Sequence, residues 1–322
     1  MARPARSDFH RRRRGDRRAR ARTRGVAVTR APHGRGADVA VAAQLACLLE
    51  ASAPKPGNVS PAADFHDVRY EDFLASAAAI GPALAAAAER PLGETIRAAV
   101  EATSRWAPSN TNLGLVLLLA PLAQAAFQPD DRPLVARLAA TLAATTVADA
   151  REAYAAIRLA APGGLGHAAE QDVAGTPTVP LRDAMTLAQE RDAVAREYAT
   201  GFRTTFAIGA PALARARADG LTWRDATVET FLTLLAAAPD THIARKLGRE
   251  AAAAVSQRAR AVLDAGGVRS AAGRQDIAAL DRELRDERNT RNPGATADLT
   301  GAAIFVALLE GGWSERGRDV RA

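Results

Sequence analysis

An all-α fold, a single multi-helix globular domain behind a disordered Arg-rich N-terminal tail, is what the sequence predicts, and three observations carry that prediction. Alanine supplies 80 of the 322 residues, and alanine is the strongest helix former. Aromatic residues make up only 4%, too few for the aromatic and β-branched faces on which sheets pair. From Asp38 onward, Ala- and Leu-rich segments of helical length recur, each stopped by Pro, Gly or a polar cluster. A hydrophobic share of 48% supplies a substantial core and excludes a wholly disordered chain. One cysteine in the whole sequence excludes a disulfide framework, a Cys-based zinc site and an iron–sulfur cluster, and suits a reducing compartment.

The net charge of +7 and the pI of 10.5 misdescribe the body of the protein. Residues 1–36 hold 13 Arg against Asp8 and Asp16 and almost nothing apolar, so they cannot offset their ordering entropy by burial and are expected to be a disordered basic tail. The remainder is mildly acidic and gives no general case for nucleic-acid binding. The longest apolar run, Leu113 to Ala120, is broken by Pro121 and falls short of the ~18 residues that a membrane span requires. A cytoplasmic location with no membrane partner is therefore expected.

The periodic segments place helices near 38–52, 70–89, 94–105, 111–126, 131–143, 145–160, 181–199, 224–237, 241–264, 274–289 and 296–311. No Gly/Ser linker or composition break interrupts them, which favours one domain over 37–315. The junctions between helices are then the place for chemistry. Arg outnumbers Lys 41 to 2 and Asn occurs five times; the scarce residues Lys55, Lys246, Asn58, Asn110, Asn112, Asn289 and Asn292 all fall at or beside junctions. Lysine is a compact point charge suited to a single phosphate oxygen, so its two positions point to function.

Five junctions stand out. In Pro54-Lys55-Pro56-Gly57-Asn58 the prolines fix the path around Lys55 and the glycine lets backbone approach a ligand; Asp64, Asp67 and Asp72 follow, as a magnesium-nucleotide site requires, although a proline-rich connection with solvated acids fits too. Ser109-Asn110-Thr111-Asn112-Leu113-Gly114 opens the most apolar helix, where capping accounts for one polar residue and an anion or ribose for the others. Ala161-Pro162-Gly163-Gly164-Leu165-Gly166 could cradle a phosphate but lacks the sequel of a P-loop. Asp240-Thr241-His242-Ile243-Ala244-Arg245-Lys246 puts His242 and Lys246 on one helical face, where like charges would raise each other's acidity. Asn292-Pro293-Gly294-Ala295-Thr296-Ala297-Asp298 ends with an acid in a first helical turn, explained by the helix dipole, by metal ligation or by general-base work.

Taken together, PKPGNV at 54–59, SNTNLG at 109–114, APGGLG at 161–166, DTHIARK at 240–246 and NPGATADLT at 292–300 resemble the triphosphoribosyl-dephospho-CoA synthase family, supported by SAAAIGP at 76–82 and RDAVAREYATGF at 191–202. The segment Asp64-Phe65-His66-Asp67 and Tyr70-Glu71-Asp72-Phe73 departs from the Gly-Ala-His and Asp-Met pattern of familiar members, which marks a divergent branch. The resemblance implies an all-helical pentosyltransferase that moves the triphosphoribosyl group of ATP to the hydroxyl of 3′-dephospho-CoA and releases adenine, in the biosynthesis of a prosthetic group. The demands of that reaction suggest roles for the junction residues. Lys55, Arg245 and Lys246, with His242, Gly163 and Gly164, meet the phosphates; Asp64, Asp67 and Asp298 hold Mg²⁺; Glu50, Asp64 and Asp298 are the catalytic carboxylates, with Glu50 as acceptor base; Asn58, Asn110, Asn112 and Asn292 position the ribose or purine edge. Three alternatives fit the residues alone: another cofactor-type acceptor, ATP hydrolysis or phosphate transfer, and a non-catalytic helical nucleotide- or RNA-binding protein.

Overall fold

Alanine-rich periodicity becomes α1 (Arg35–Ser52), α2 (Tyr70–Ala79), α3 (Gly81–Ala85), α4 (Leu92–Ser104), α5 (Leu113–Phe127), α6 (Leu134–Ala143) and α7 (Val147–Ala160) in the first half of the chain. The second half forms α8 (Leu181–Ala188), α9 (Ala193–Thr200), a π-helical turn (Thr205–Gly209) that runs into α10 (Ala210–Ala218), α11 (Trp223–Ala237), α12 (Thr241–Leu247), α13 (Arg249–Asp264), α14 (Ala271–Leu284) and α15 (Gly294–Leu309). This computed structural model describes residues 35–313. The tail expected over 1–36 lies outside the described residues, except that Arg35 and Gly36 already belong to α1. Among the described residues the regular structure is helical, and an isolated Ser60–Ala63 bridge is the only β-type pairing.

Two helices, α5 and α15, are apolar on every side, and such a helix must be buried on every side. They pack against each other at the centre, α1 lies across both, and α9, α10, α11 and the π-turn close around α15. A satellite cluster of Phe231, Leu235, Val262 and Leu280 joins α11, α13 and α14. All these helices fall within one compact unit that begins at Gly34. Among the described residues no helix is long and apolar enough to cross a membrane.

Four departures from the predicted boundaries shape the site. The helix expected over 181–199 is two, because Asp192 leaves helical geometry to cap α9, accepting from Ala195 N at 3.0 Å. That over 241–264 breaks at Gly248, whose φ of 91° is a left-handed-side conformation that an L side chain rarely adopts. The segment 274–289 stops at Leu284, since the Asp286 carboxylate gathers the amides of Arg288, Thr290 and Arg291 into a loop. The helix expected over 70–89 divides at Ile80 into α2 and α3. The π-turn and α10 were not expected at all. They form because the fully buried Glu197 accepts from Thr204 N at 2.9 Å and Thr205 N at 2.8 Å, satisfying the free amides at their start.

Candidate functional site

All five junctions contribute to one cavity of about 440 Å³, within the range of small-molecule sites. Its lining includes Glu50 and Asn58 from the first corner, Ser109 to Leu115 from the head of α5, Pro162 and Gly163 after α7, His242, Arg245 and Lys246 on α12, and Asn292 and Asp298 at the head of α15.

The α12 wall is held by a doubly used carboxylate. Asp240 Oδ1 accepts from His242 N at 2.8 Å and Ile243 N at 3.0 Å, while Oδ2 accepts from Thr296 N and Thr296 Oγ1, both at 2.7 Å. One buried side chain thus caps α12 and the first turn of α15 together, fixing the cationic helix against the one that carries Asp298. Burial raises the Asp240 carboxyl above its usual range even against these four hydrogen bonds. Burial, reinforced by Lys246 and Arg245, pushes His242 down to about 3, so its imidazole is neutral at physiological pH. Of the repulsion expected within the His242–Lys246 pair only one direction is present: Lys246 lowers His242, after burial, whereas the neutral imidazole does not act on Lys246. Burial likewise lowers Lys246, against the pull of Asp286; its Nζ donates to Asn289 O at 3.2 Å.

Breaking the expected helix at 189–192 brings in two residues that the sequence roles omitted. Arg191 and Asp192 both line the cavity, and Asp192 pairs with Arg245 in its wall. The loop after α14 adds Arg288 and Asn289. Hydrogen bonds from Thr290, Arg288 and Arg291 outweigh burial and hold Asp286 at about 2, which keeps that loop anchored by a charged carboxylate. RDAVAREYATGF carried a signal for Arg191 and Asp192 as part of the resemblance; Arg288 had none beyond its scarce neighbour Asn289.

Asp298 stands at the head of α5. A Cβ added to Gly114 would lie 2.0 Å from Asp298 Oδ2, so only glycine admits the carboxyl there. Burial, and then the neighbouring Glu50, Asp192 and Asp240 charges, raise Asp298 well above the usual carboxylate range.

Several expected roles are corrected by this geometry. Lys55 is 1% exposed and does not line the cavity; its ammonium faces Glu50 Oε1 at 2.9 Å and donates to the carbonyls of Glu50 and Ala53. It backs Glu50 and does not reach a phosphate. Asp64 does not line the cavity and accepts from Tyr70 N at 2.8 Å at the start of α2. Asp67 lines the cavity but is exposed beside His66. Among the described residues no group of three His, Cys, Asp or Glu side chains gathers to hold a metal ion, and of the three acids expected at magnesium only Asp67 and Asp298 line the cavity. Asn292 Nδ2 donates to Asn58 Oδ1 at 2.9 Å and Gly57 O at 3.1 Å, and Asn58 Nδ2 donates to Pro56 O. Those two amides lock the first corner to the last. Asn110 Oδ1 accepts from Leu113 N at 3.0 Å and is a cap. Gly164 is exposed beside Arg245 and Lys246 and does not line the cavity.

Comparison with known proteins gives the family. The family described as ATP:dephospho-CoA triphosphoribosyl transferase matches residues 36–317. Relatives bearing the name 2-(5''-triphosphoribosyl)-3'-dephosphocoenzyme-A synthase include one from Pseudomonas paraeruginosa, 38% identical over 124 residues that cover 37% of this chain and 42% of its own. Another from Stutzerimonas stutzeri is 35% identical over 116 residues, covering 36% of this chain and 39% of its own. The chain thus spans about two-fifths of the length of the curated relatives it matches. A solved structure from Archaeoglobus fulgidus, titled as a triphosphoribosyl-dephospho-CoA synthase, superposes with a TM-score of 0.58 at 30% identity, covering 74% of this chain and 99% of that one. With five separated motifs, an all-helical architecture and a family match over nearly all the described residues, the chain belongs to the ATP:dephospho-CoA triphosphoribosyl transferase family.

Proposed function

We propose that the protein transfers the 5-triphosphoribosyl group of ATP to a hydroxyl of 3′-dephospho-CoA, releasing adenine, as a cytoplasmic enzyme. The observation that carries this reading is the composition of this cavity, where Arg191, Arg245, Lys246 and Arg288 share a lining with Glu50, Asp192 and Asp298. A triphosphate is polyanionic and needs several cations when removed from water. Breaking the bond between adenine and C1′ builds positive charge on the ribose, which a preorganised carboxylate stabilises most strongly in a dry cleft. Glu50 suits that task or removal of the acceptor proton: Lys55 fixes one of its oxygens from behind while the residue faces the cavity. Among the described residues no three potential ligands gather around one point, so magnesium is assigned to the substrate, arriving with the triphosphate.

Incubation with ATP, magnesium and a panel of acceptors including dephospho-CoA tests the reaction. The expected products are free adenine by chromatography and a triphosphoribosyl adduct by mass spectrometry. Adenine with a different acceptor alone would reassign the second substrate; ADP in place of adenine would replace pentosyl transfer by phosphoryl transfer.

A further inference from the structure

Three buried polar atoms that find no hydrogen-bond partner line this cavity: Ser109 Oγ, Asn112 Nδ2 and Arg245 Nε. The first two belong to the turn that opens α5. Asn112 is 5% exposed and occupies the N-cap position without bonding to any amide of its own helix. Leaving such a donor unpaired costs about 1–3 kcal/mol, a cost that persists in a folded protein when a ligand removes it. Asp298 arrives at the same turn, packed against Gly114, and its carboxyl makes no hydrogen bond or ion pair with the described residues. Donors and an acceptor therefore stand together, all unsatisfied. An aromatic face lies alongside. Ser76 Oγ meets Thr111 Oγ1 at 2.5 Å, tying α2 to this turn, and Phe73, one turn earlier on the same face of α2, lines the cavity.

We propose that the head of α5 holds the purine ring of ATP, with the Asn112 carboxamide reading the adenine edge, Ser109 and Asp298 completing its hydrogen bonds and Phe73 covering its face. This inference rests on the reading of the cavity as the ATP site. A carboxamide matches adenine because it donates to a ring nitrogen and accepts from the 6-amino group together. The aromatic wall favours a base over a sugar. The Asp298 carboxyl disfavours a phosphate at this helix start, which assigns the triphosphate to the Arg245 and Lys246 side.

The test measures equilibrium binding of ATP, ITP and inorganic tripolyphosphate to the full chain and to Asn112→Leu, with melting temperatures to verify folding. The wild type should favour ATP over ITP by about tenfold, one well-made hydrogen bond's worth. Asn112→Leu should weaken ATP by about tenfold, remove the preference over ITP, and leave tripolyphosphate within about twofold. Should the Leu variant not fold, Asn112→Ala removes the donor and the acceptor with less bulk and is expected to lose the same preference. Equal loss of ATP and tripolyphosphate would make this turn a phosphate site and overturn the proposal, as would equal loss of ATP and ITP, which would place the ribose here. Unchanged binding of all three also overturns it. If the wild type binds neither ATP nor tripolyphosphate, the proposed function itself falls, a result distinct from the others.

Discussion

Asp240 and Asp298 are two neighbouring carboxyls that burial raises above their usual range, one behind the cavity wall and one in its lining, yet their surroundings differ completely. Asp240 receives four hydrogen bonds and joins two helices. Asp298, two residues beyond one of the donors that Asp240 takes, receives none from the described residues. The same contrast separates the two lysines: Lys55 is enclosed against Glu50, whereas Lys246 reaches the cavity rim. Saturated polar groups hold the shape of the cavity, and unsaturated ones face the space where a ligand goes. Substitution should therefore damage stability in the first set and function in the second.

The largest expected effect is at Lys55. Lys55→Met strands Glu50 as a buried charge without its partner and should cost about 3–5 kcal/mol in denaturant unfolding. The double variant with Glu50→Gln should recover much of that loss, because neither charge then remains buried; a double variant as unstable as the single one would contradict the pairing. Asp240→Ala follows, at about 3 kcal/mol, since it uncaps α12 and leaves the Thr296 amide and hydroxyl unsatisfied. Its turnover should fall as well, through displacement of Arg245 and Lys246 relative to Asp298, and Asp240→Asn should restore part of the stability by keeping one set of bonds.

Periodicity identified most helices because it depends on local spacing, and the motifs identified the corners of the site. What stayed hidden is direction. Lys55 sits in a proline-framed loop whose sequence suits a phosphate, but only the fold shows that its ammonium turns back to Glu50. Asn58, Asn110 and Asn292 share a residue type with Asn112, yet hydrogen bonds across 235 residues of chain separate the fastening amides from the free one. Arg191 and Asp192 looked like positions inside a continuous amphipathic helix. A tertiary partner, Arg245, accompanies the break that turns them to the cavity. The π-turn was illegible for the same reason, as its cap, Glu197, lies inside the preceding helix and gives no sequence signal of its own.

His242 sharpens the contrast through pH. Its folded value of about 3 lies below the ordinary value near 6.5, so between those two pH values the unfolded chain binds a proton that the folded chain does not. Stability must then fall as pH is lowered through that window, by up to about 1.4 kcal/mol per unit, or about 2 kcal/mol by pH 5. Melting temperature against pH should show this slope in the wild type and a shallower one in His242→Asn. Identical slopes would place the titration elsewhere.

The smallest stability effect, and the most telling, belongs to Asp298→Asn. Burial and the Glu50, Asp192 and Asp240 charges all oppose ionisation of this carboxyl, so the neutral isostere relieves a cost in the folded state. Stability at neutral pH should stay level or rise by about 1 kcal/mol, the usual scale on which a working site trades stability for function. ATP binding should meanwhile weaken by about tenfold, because the carboxyl completes the hydrogen bonds to the adenine. The sign follows from linkage: a carboxyl whose folded value is raised loses stability as pH climbs above its unfolded value, and Asn does not titrate, so the gain over wild type should grow with pH and vanish in acid. A variant that melts several degrees lower at every pH would make Asp298 a structural residue like Asp240, and the division between a saturated frame and an unsaturated working face would not survive it.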